Sequence, residues 1–339
     1  MRCWVSLIGL VLFRGILQMA AEIMEALDFQ RLVELGGNRE AGVAAALELR
    51  NGDEQARFKI ASLCLYVATV APEALADIYD GLCEGWLGRE PQAPRISAPA
   101  EPATVPAEAW RELWAIVLDP HAGDDPSLIT VRTTALTSLL EHSFHTRVAA
   151  MSHLYPDVDV AASQGTPPKF QLEDLARCPK DSLGGLLHGL VVDKGFDLEV
   201  LDRDAIGLDS LPVPLPYLNV RILQCHDIWH FVGGYETTSL HEVAISGFQM
   251  GQFGHHYSSM FLGVVLAQVA FIAPVEATGF LLDTVLSSYV HGRETPPLMA
   301  VPWEEIWDQT LENIRLKLGV TAYERPYPAS LIEDLRAAS

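Results

Sequence analysis

Apolar residues recur at helical spacing through most of this chain, and that periodicity limits the fold more than any other feature. Phe58, Ala61 and Leu65, for example, lie three or four positions apart, which is the repeat of one helix face. Glycine pairs and prolines interrupt the pattern, whereas the alternating pattern typical of strands is scarce. The sequence therefore predicts an all-α fold, a multi-helix bundle.

The N-terminal residues are apolar and allow three interpretations. Cys3–Phe13 is an apolar run of eleven residues closed by Arg14, too short for a membrane span of about 20 residues. The chain's start can be mis-assigned, with Met19 or Met24 as the true start. Alternatively, the run is a helix that touches a membrane or a partner, or it is a signal sequence. Residues 1–20 are therefore set apart as an extension.

A segment rich in proline and alanine, residues 89–106, divides the remaining chain. It has few large apolar side chains, which favours an extended linker. The linker separates a helical region, residues 21–88, from a longer helical domain, residues 107–339. Within that domain, residues 303–318 carry an amphipathic pattern that predicts one helix.

Composition excludes some classes of function. The 339 residues include 23 basic and 44 acidic side chains, a formal charge of -21, so a general attraction to nucleic acid is not expected. Any membrane contact would have to be apolar or locally basic. The five cysteines include no C-x-x-C pair, which indicates a reducing compartment. We therefore expect a cytoplasmic location.

The densest group of metal-ligand residues is the motif H-D-x-x-H, then eleven residues, then glutamate. It comprises His226, Asp227, His230 and Glu242. Two histidines four positions apart share a helix face, and the glycine pair 233–234 allows a turn that returns the glutamate. Two histidines and a carboxylate suit zinc with an open position, and equally the facial triad of non-haem iron enzymes. Asp227 can be a fourth ligand, a general base, or the partner that orients an imidazole.

A purely structural interpretation competes with the metal site. Ser239 and Glu242 have the spacing of a capping box, in which the glutamate only closes a helix N-terminus. The two histidines would then be ordinary members of a helix hairpin.

Several further motifs surround this group in a fixed order. They are P-K-D-S-L-G at Pro179–Gly184, Arg221, Gly234-Tyr235, His291-Gly292-Arg293, and W-E-E-I-W-D-Q-T-L at Trp303–Leu311. Together with H-D-x-x-H-x(11)-E they resemble the Coq-four family of ubiquinone (coenzyme Q) biosynthesis proteins. The resemblance covers roughly residues 171–320.

This resemblance implies an all-helical, metal-binding protein that acts on a polyprenylated benzoate ring. The implied reaction removes the C1 carboxylate and replaces it with hydroxyl, with His226, Asp227, His230 and Glu242 as metal ligands. It also implies peripheral association with the inner membrane and contact with other enzymes of the pathway, and we expect a homo-oligomer. The divalent metal expected first is zinc, with iron or magnesium as alternatives.

Two positions depart from the family pattern. His241 stands where the family usually has glycine, and it adds either bulk beside the site or a fifth ligand. His255-His256 is also untypical, and forms either a second ligand pair or a polar cluster at a helix end.

The nearly continuous apolar stretch of residues 260–280 predicts a long apolar helix pair. It is either a buried core element or the wall of a polyprenyl tunnel, where each buried methylene contributes about 0.8 kcal/mol. In an enzyme, Asp227 or Glu242 would move the proton, and Arg221 would hold a substrate carboxylate or pair with a nearby acid.

Three functions stay open on the sequence alone. The first is the oxidative decarboxylase described above. The second is a non-catalytic scaffold that binds a polyprenyl lipid and has a structural metal. The third is a metal-dependent hydrolase, although zinc peptidases have glutamate where Asp227 stands.

Overall fold

The computed structural model describes residues 24–122, 126–199, 203 and 207–338, and over these residues the protein is all-α, as predicted. The extension at residues 1–20 lies outside the described residues. Sixteen helices follow in chain order: α1 at residues 24–35, α2 Arg39–Arg50, α3 Ala56–Thr69, α4 Leu75–Leu87, α5 Ala107–Val117, α6 Pro126–Ser138, α7 His142–Ser152, α8 Val158–Ala162, α9 Leu172–Leu175, α10 Leu183–Lys194, α11 Leu215–Gly233, α12 Ser239–Phe253, α13 His256–Ile272, α14 Val275–Glu294, α15 Leu311–Leu318 and α16 Leu331–Ala338. Short 3-10 helices lie at Pro72–Ala74, Leu208–Ser210 and Trp303–Glu305.

The core runs through both sides of the predicted linker. Helix α3 packs along α13, and α4 packs against α14, while α12 lies between α13 and α14. Buried side chains from Phe29 to Tyr323 form one contiguous cluster. The linker itself is extended and bound to the core, because Ala103 donates its amide to the Val70 carbonyl. The division of the chain at residues 89–106 stays a prediction.

A buried ion pair joins the N-terminal helices to the rest of the protein. Arg293 on α14 donates to Asp80 on α4 at 3.1 Å and to the Pro94 carbonyl at 2.6 Å. The Tyr289 hydroxyl donates to the same Asp80 oxygen at 2.9 Å. Because every group in this cluster has a partner, the charges can be buried between the two helices.

The predicted single helix at residues 303–318 is wrong. The chain forms a 3-10 turn at Trp303–Glu305 and becomes α-helical only at Leu311. Between them, the carbonyls of Trp307 and Gln309 accept hydrogen bonds from the first amides of α10. Thr310 then caps α15 by accepting from the Asn313 amide. Satisfying the free amides of another helix outweighs the local helical pattern.

The turn between α11 and α12 depends on glycine. Gly234 ends α11 in the left-handed conformation with φ 82°, which glycine adopts without strain. A Cβ at this position would lie 2.8 Å from the Cβ of Ala322. The sharp exit brings the first turn of α12 back beside the last turns of α11, as the glycine pair predicted.

The apolar stretch around residues 260–280 forms most of α13 and the start of α14, separated by Ala273 and Pro274. These helices have 17 and 20 residues. Among the described residues, no helix is both long and apolar enough to cross a membrane.

Candidate metal centre

Three of the predicted ligands converge on one point between α11 and α12. The Nε2 atoms of His226 and His230 lie 3.1 Å apart. From α12, Glu242 places Oε2 at 3.2 Å from His226 Nε2 and Oε1 at 3.4 Å from His230 Nε2. The four-residue spacing puts both rings on the same face of α11, and the turn at Gly234 supplies the carboxylate.

These separations can be compared with those in a metal site. Zinc binds histidine nitrogen at about 2.0–2.1 Å, so two ligands of a tetrahedral site lie about 3.4 Å apart. The observed separations of 3.1, 3.2 and 3.4 Å are close to that value. The donor set therefore fits a divalent cation.

Asp227 adds a fourth potential ligand. Its carboxylate lies within 4.8 Å of ligand atoms of His226 and His230. The residue is only 8% exposed, and within the described residues no hydrogen bond to its carboxylate is found. Burial raises the pKa of Asp227, and the charges of the two histidines only partly oppose the shift. A buried carboxylate without a partner needs a proton or a cation.

Hydrogen bonds to Nδ1 fix the orientation of the His226 and His230 rings, whose Nε2 atoms face the centre. His230 Nδ1 donates to the Glu236 carbonyl at 3.1 Å, which leaves the Nε2 lone pair of the neutral ring directed at the centre. The Gln249 amide nitrogen lies 3.0 Å from His226 Nδ1. Such partners orient histidine ligands in metal proteins. Gln249 was missed from the sequence, where its only signal is that it lies seven residues, or two turns, after Glu242.

The electrostatics of the centre favour the charged form of Glu242. Burial disfavours the Glu242 carboxylate, but hydrogen bonds from His226 and His230 and their positive charge hold its pKa well below the usual range. Burial likewise disfavours a charged His226, yet the hydrogen bond and negative charge of Glu242 raise its pKa. Glu242 is therefore held as a charged carboxylate beside the two rings.

The capping-box interpretation of Glu242 is not what the structure contains. Thr238 is the N-cap residue of α12 and makes no side-chain cap. The Ser239 amide instead donates to Glu333 of α16 at 2.8 Å. Glu242 is thus free to face the histidines, where its side chain is 39% exposed.

Arg221 lies on α11 and forms an ion pair with an acidic residue far along the chain. Its guanidinium binds both carboxylate oxygens of Glu304, at 2.6 and 3.0 Å, and the Val301 carbonyl at 3.0 Å. It does not line the cavity described below. These contacts are those of the ion-pair alternative for Arg221.

The unusual histidines lie around the centre and not in it. His241 Nδ1 accepts from the Glu236 amide at 2.7 Å, and its ring lies beside those of Tyr235 and Tyr323. Neither it nor His255 or His256 belongs to the described group of side chains with metal-ligand spacing. His256 Nε2 donates to the Ala68 carbonyl at 2.8 Å.

A cavity of about 1200 Å³ opens beside the centre. His226, Asp227 and Glu242 line it, and Phe261 and Val265 of α13 form an apolar part of its wall. Helices α6, α7 and α16 contribute further lining residues. The opposite face of α13 is buried in the core. The stretch therefore packs in the core on one face, as the first interpretation predicted, and lines a cavity on the other; the polyprenyl tunnel stays a prediction.

Comparison with known proteins supports the sequence resemblance. Residues 166–324 match the family described as Coenzyme Q (ubiquinone) biosynthesis protein Coq4. The ubiquinone biosynthesis protein COQ4 homolog, mitochondrial, of Drosophila ananassae is 32% identical over 152 residues, 44% of this chain and 54% of that protein. The mitochondrial COQ4 protein of Kluyveromyces lactis is 25% identical over 162 residues, 46% of this chain and 45% of that protein.

The chain thus spans about half the length of the relatives it matches. A crystal structure from Nostoc punctiforme PCC 73102 has a TM-score of 0.48 and 22% identity, covering 63% of this chain and 97% of that one. The matched segment contains all four candidate ligands and α10 through α15. Residues 166–324 thus match the Coq4 family of ubiquinone biosynthesis proteins, and the curated relatives are similar over about the same stretch.

Proposed function

We propose that this protein acts in ubiquinone biosynthesis on a polyprenylated benzoate ring, with a divalent metal at His226, His230, Glu242 and Asp227. One observation carries the proposal: the side chains of His226, His230 and Glu242 approach one another to 3.1–3.4 Å, and two of them, His226 and Glu242, line a cavity of about 1200 Å³. The match of residues 166–324 to the Coq4 family supports the choice of pathway.

The metal would be held by the Nε2 atoms of the two histidines and by the carboxylates of Glu242 and Asp227. Bound there, a divalent cation supplies Lewis acidity toward a carboxylate or phenolate oxygen. Zinc is the first expectation from two imidazoles and carboxylates, and iron or magnesium suits the same donors.

The cavity would position the substrate by polarity. Its polar end holds Asp227 and Glu242, and the ring of the substrate would lie there. Phe261 and Val265 line the cavity one turn apart on α13, which gives the isoprenoid tail an apolar wall. Each buried methylene of that tail would contribute about 0.8 kcal/mol to binding.

The proposed reaction breaks the bond between C1 and its carboxylate, releases CO2 and forms a new bond between C1 and a hydroxyl oxygen. The ring loses two electrons overall; water supplies the hydroxyl oxygen, and dioxygen accepts the two electrons and is released as hydrogen peroxide. Asp227 suits the proton transfer, because burial raises its pKa and no hydrogen bond from a described residue reaches its carboxylate.

We further propose that the protein lies against a membrane at the cavity opening. Val131 and Phe196 both line the cavity and are 56% and 38% exposed, so the opening presents apolar side chains. This supports apolar contact with lipid. The relatives' names include the word mitochondrial; the cytoplasmic location, the homo-oligomer and contact with other pathway enzymes stay predictions for this chain.

A labelled substrate separates the enzyme from the scaffold. Zinc- or iron-loaded protein is incubated in air with a short-chain prenylated hydroxybenzoate that carries ¹³C in its carboxylate. We expect labelled CO2 and a hydroxylated ring from wild type, and neither from His230→Ala. Tight binding of the compound without CO2 release, with each metal tried, would instead support the lipid-binding scaffold.

A further inference from the structure

A chain of polar side chains leads from His226 to a second face of the cavity. Gln249 is 2% exposed, and its amide lies between two rings, with Nε2 at 3.0 Å from His226 Nδ1 and Oε1 at 3.2 Å from His255 Nδ1. The fully buried Ser258 places its hydroxyl 3.1 Å from that Oε1 and 2.9 Å from His255 Nδ1. An amide donates at one end and accepts at the other, so it imposes opposite roles on the two rings.

In the observed pattern, Gln249 donates from Nε2 to His226 Nδ1. Its Oε1 accepts from the Ser258 hydroxyl and from His255 Nδ1. His255 Nδ1 then carries the ring hydrogen, and its Nε2 is a bare acceptor. Within the described residues, that Nε2 has no hydrogen-bond partner, and the ring lines the cavity. Burial lowers the pKa of His255 to about 3, so the ring stays neutral and has a single hydrogen to place.

A metal at His226 Nε2 requires the reverse pattern. A neutral imidazole that binds a metal through Nε2 carries its hydrogen on Nδ1, which needs an acceptor. Gln249 provides that acceptor when its amide is reversed, and its nitrogen then faces His255 and Ser258. The amide nitrogen then donates to the Ser258 oxygen, and the Ser258 hydroxyl donates to His255 Nδ1, so the ring hydrogen of His255 moves to Nε2.

We propose that His255 is a ligand-binding residue whose hydrogen-bond role is set, through Gln249, by the metal site: with the cation bound, His255 Nε2–H donates to an oxyanion on an aromatic ligand in the cavity. This inference rests on the proposed function, because it needs a cation at His226. Gln249 is the positioning residue that couples the two. The aromatic class follows from Tyr257 and Phe261, which line the cavity with nearly parallel rings at 8°, the Tyr257 ring 5.8 Å from that of His255.

The coupling is tested by nuclear magnetic resonance on the full chain with ¹⁵N-labelled histidine. The resonance of His255 is identified by its loss in His255→Gln. We expect the Nδ1–H form in chelator-treated protein and the Nε2–H form after one equivalent of zinc. In Gln249→Glu, whose carboxylate can only accept, zinc should still bind but His255 should stay in the Nδ1–H form.

Zinc bound by wild type without a change of the His255 form would overturn the coupling while leaving the metal site intact. Zinc binding that fails altogether would remove the proposed function and this inference with it. A switch that persists in Gln249→Glu would show that Gln249 does not transmit it, and would also overturn the proposal.

The ligand is tested with 4-hydroxybenzoate as the probe, by calorimetry on zinc-loaded protein. We expect His255→Leu to weaken binding roughly ten-fold or more, as for the loss of a hydrogen bond to a charged group, with zinc affinity unchanged. His255→Gln, whose amide can donate, should recover part of the affinity. No loss in His255→Leu, or no binding by wild type, would overturn the assignment of the ligand.

Discussion

The Nε2 atoms of His226 and His230 lie 3.1 Å apart, and the Glu242 carboxylate closes the triangle from a second helix. Two ring nitrogens come this close without repulsion only if a proton or a cation lies between their lone pairs. The turn between α11 and α12 therefore brings these three side chains together.

The same triangle predicts that metal stabilises the fold. Thermal unfolding of chelator-treated wild type should shift upward when zinc is added, since a ligand at 100 times its Kd stabilises by about 2.7 kcal/mol. In Glu242→Gln, which keeps the shape but loses the charge, the shift should be clearly smaller. His188→Ala, on α10 and away from the cavity, is the matched control. Equal shifts in wild type and Glu242→Gln would contradict the role given to the carboxylate.

Stability should depend on pH through His256. Burial lowers its pKa to about 4, whereas an unfolded histidine titrates near 6.5. Between about pH 6.5 and pH 4, His256 binds a proton in the unfolded chain but not in the folded chain. Stability is therefore kept above about pH 6.5 and falls toward pH 4. Because the ring borders the cavity, we expect about 1–2 kcal/mol between pH 7 and pH 5.

The control for that experiment is His256→Gln, whose amide can still donate to the Ala68 carbonyl. Urea unfolding of both proteins without added metal gives the difference. If the variant loses as much stability on acidification as wild type, His256 does not titrate as described.

Removing either Arg221 or Glu304 should lower the stability of the fold. Glu304→Gln leaves the Arg221 guanidinium buried and uncompensated, at a cost of about 3 kcal/mol, the lower end for a buried pair because Glu304 is 34% exposed. Arg221→Met removes the same pair. Both variants should unfold at lower urea concentration and bind zinc as wild type does. A stable Arg221→Met protein that cannot bind 4-hydroxybenzoate would instead support the substrate-carboxylate role.

Filling the cavity should exclude lipid. Val265→Trp places a large ring where the tail would lie, and losing contact with two methylenes costs about 1.6 kcal/mol, roughly 15-fold in affinity. Ile272→Trp, on the same helix but 45% exposed and away from the cavity, is the control. Extraction and mass spectrometry of copurified lipid give the occupancy. Equal lipid in both variants would place the binding site elsewhere.

The sequence was sufficient for the all-α fold and for the close approach of His226, His230 and Glu242, because both depend on local spacing. Four-residue spacing places His226 and His230 on one face, and the glycine pair marks the turn. The single helix expected at residues 303–318 failed because that signal is also local, whereas the break comes from amides of α10 more than a hundred residues earlier.

Side-chain partners from distant segments could not be predicted from the sequence for the same reason. Nothing near Arg221 in the sequence indicates that Glu304 neutralises it, and nothing near Gln249 indicates that its amide joins His226 to His255. The cavity also depends on α6 and α7, which lie outside the segment that matches the family.

The most direct test is the metal content of protein purified without chelator, measured by mass spectrometry for wild type beside His230→Ala. We predict about one zinc or iron per chain in wild type and loss of that metal in the variant. Iron would favour the oxidative enzyme, and zinc would suit the enzyme and the scaffold alike. Wild-type protein that contains no metal, even after metal is added back, would contradict the metal centre and leave His226, His230 and Glu242 as a hydrogen-bonded helix hairpin.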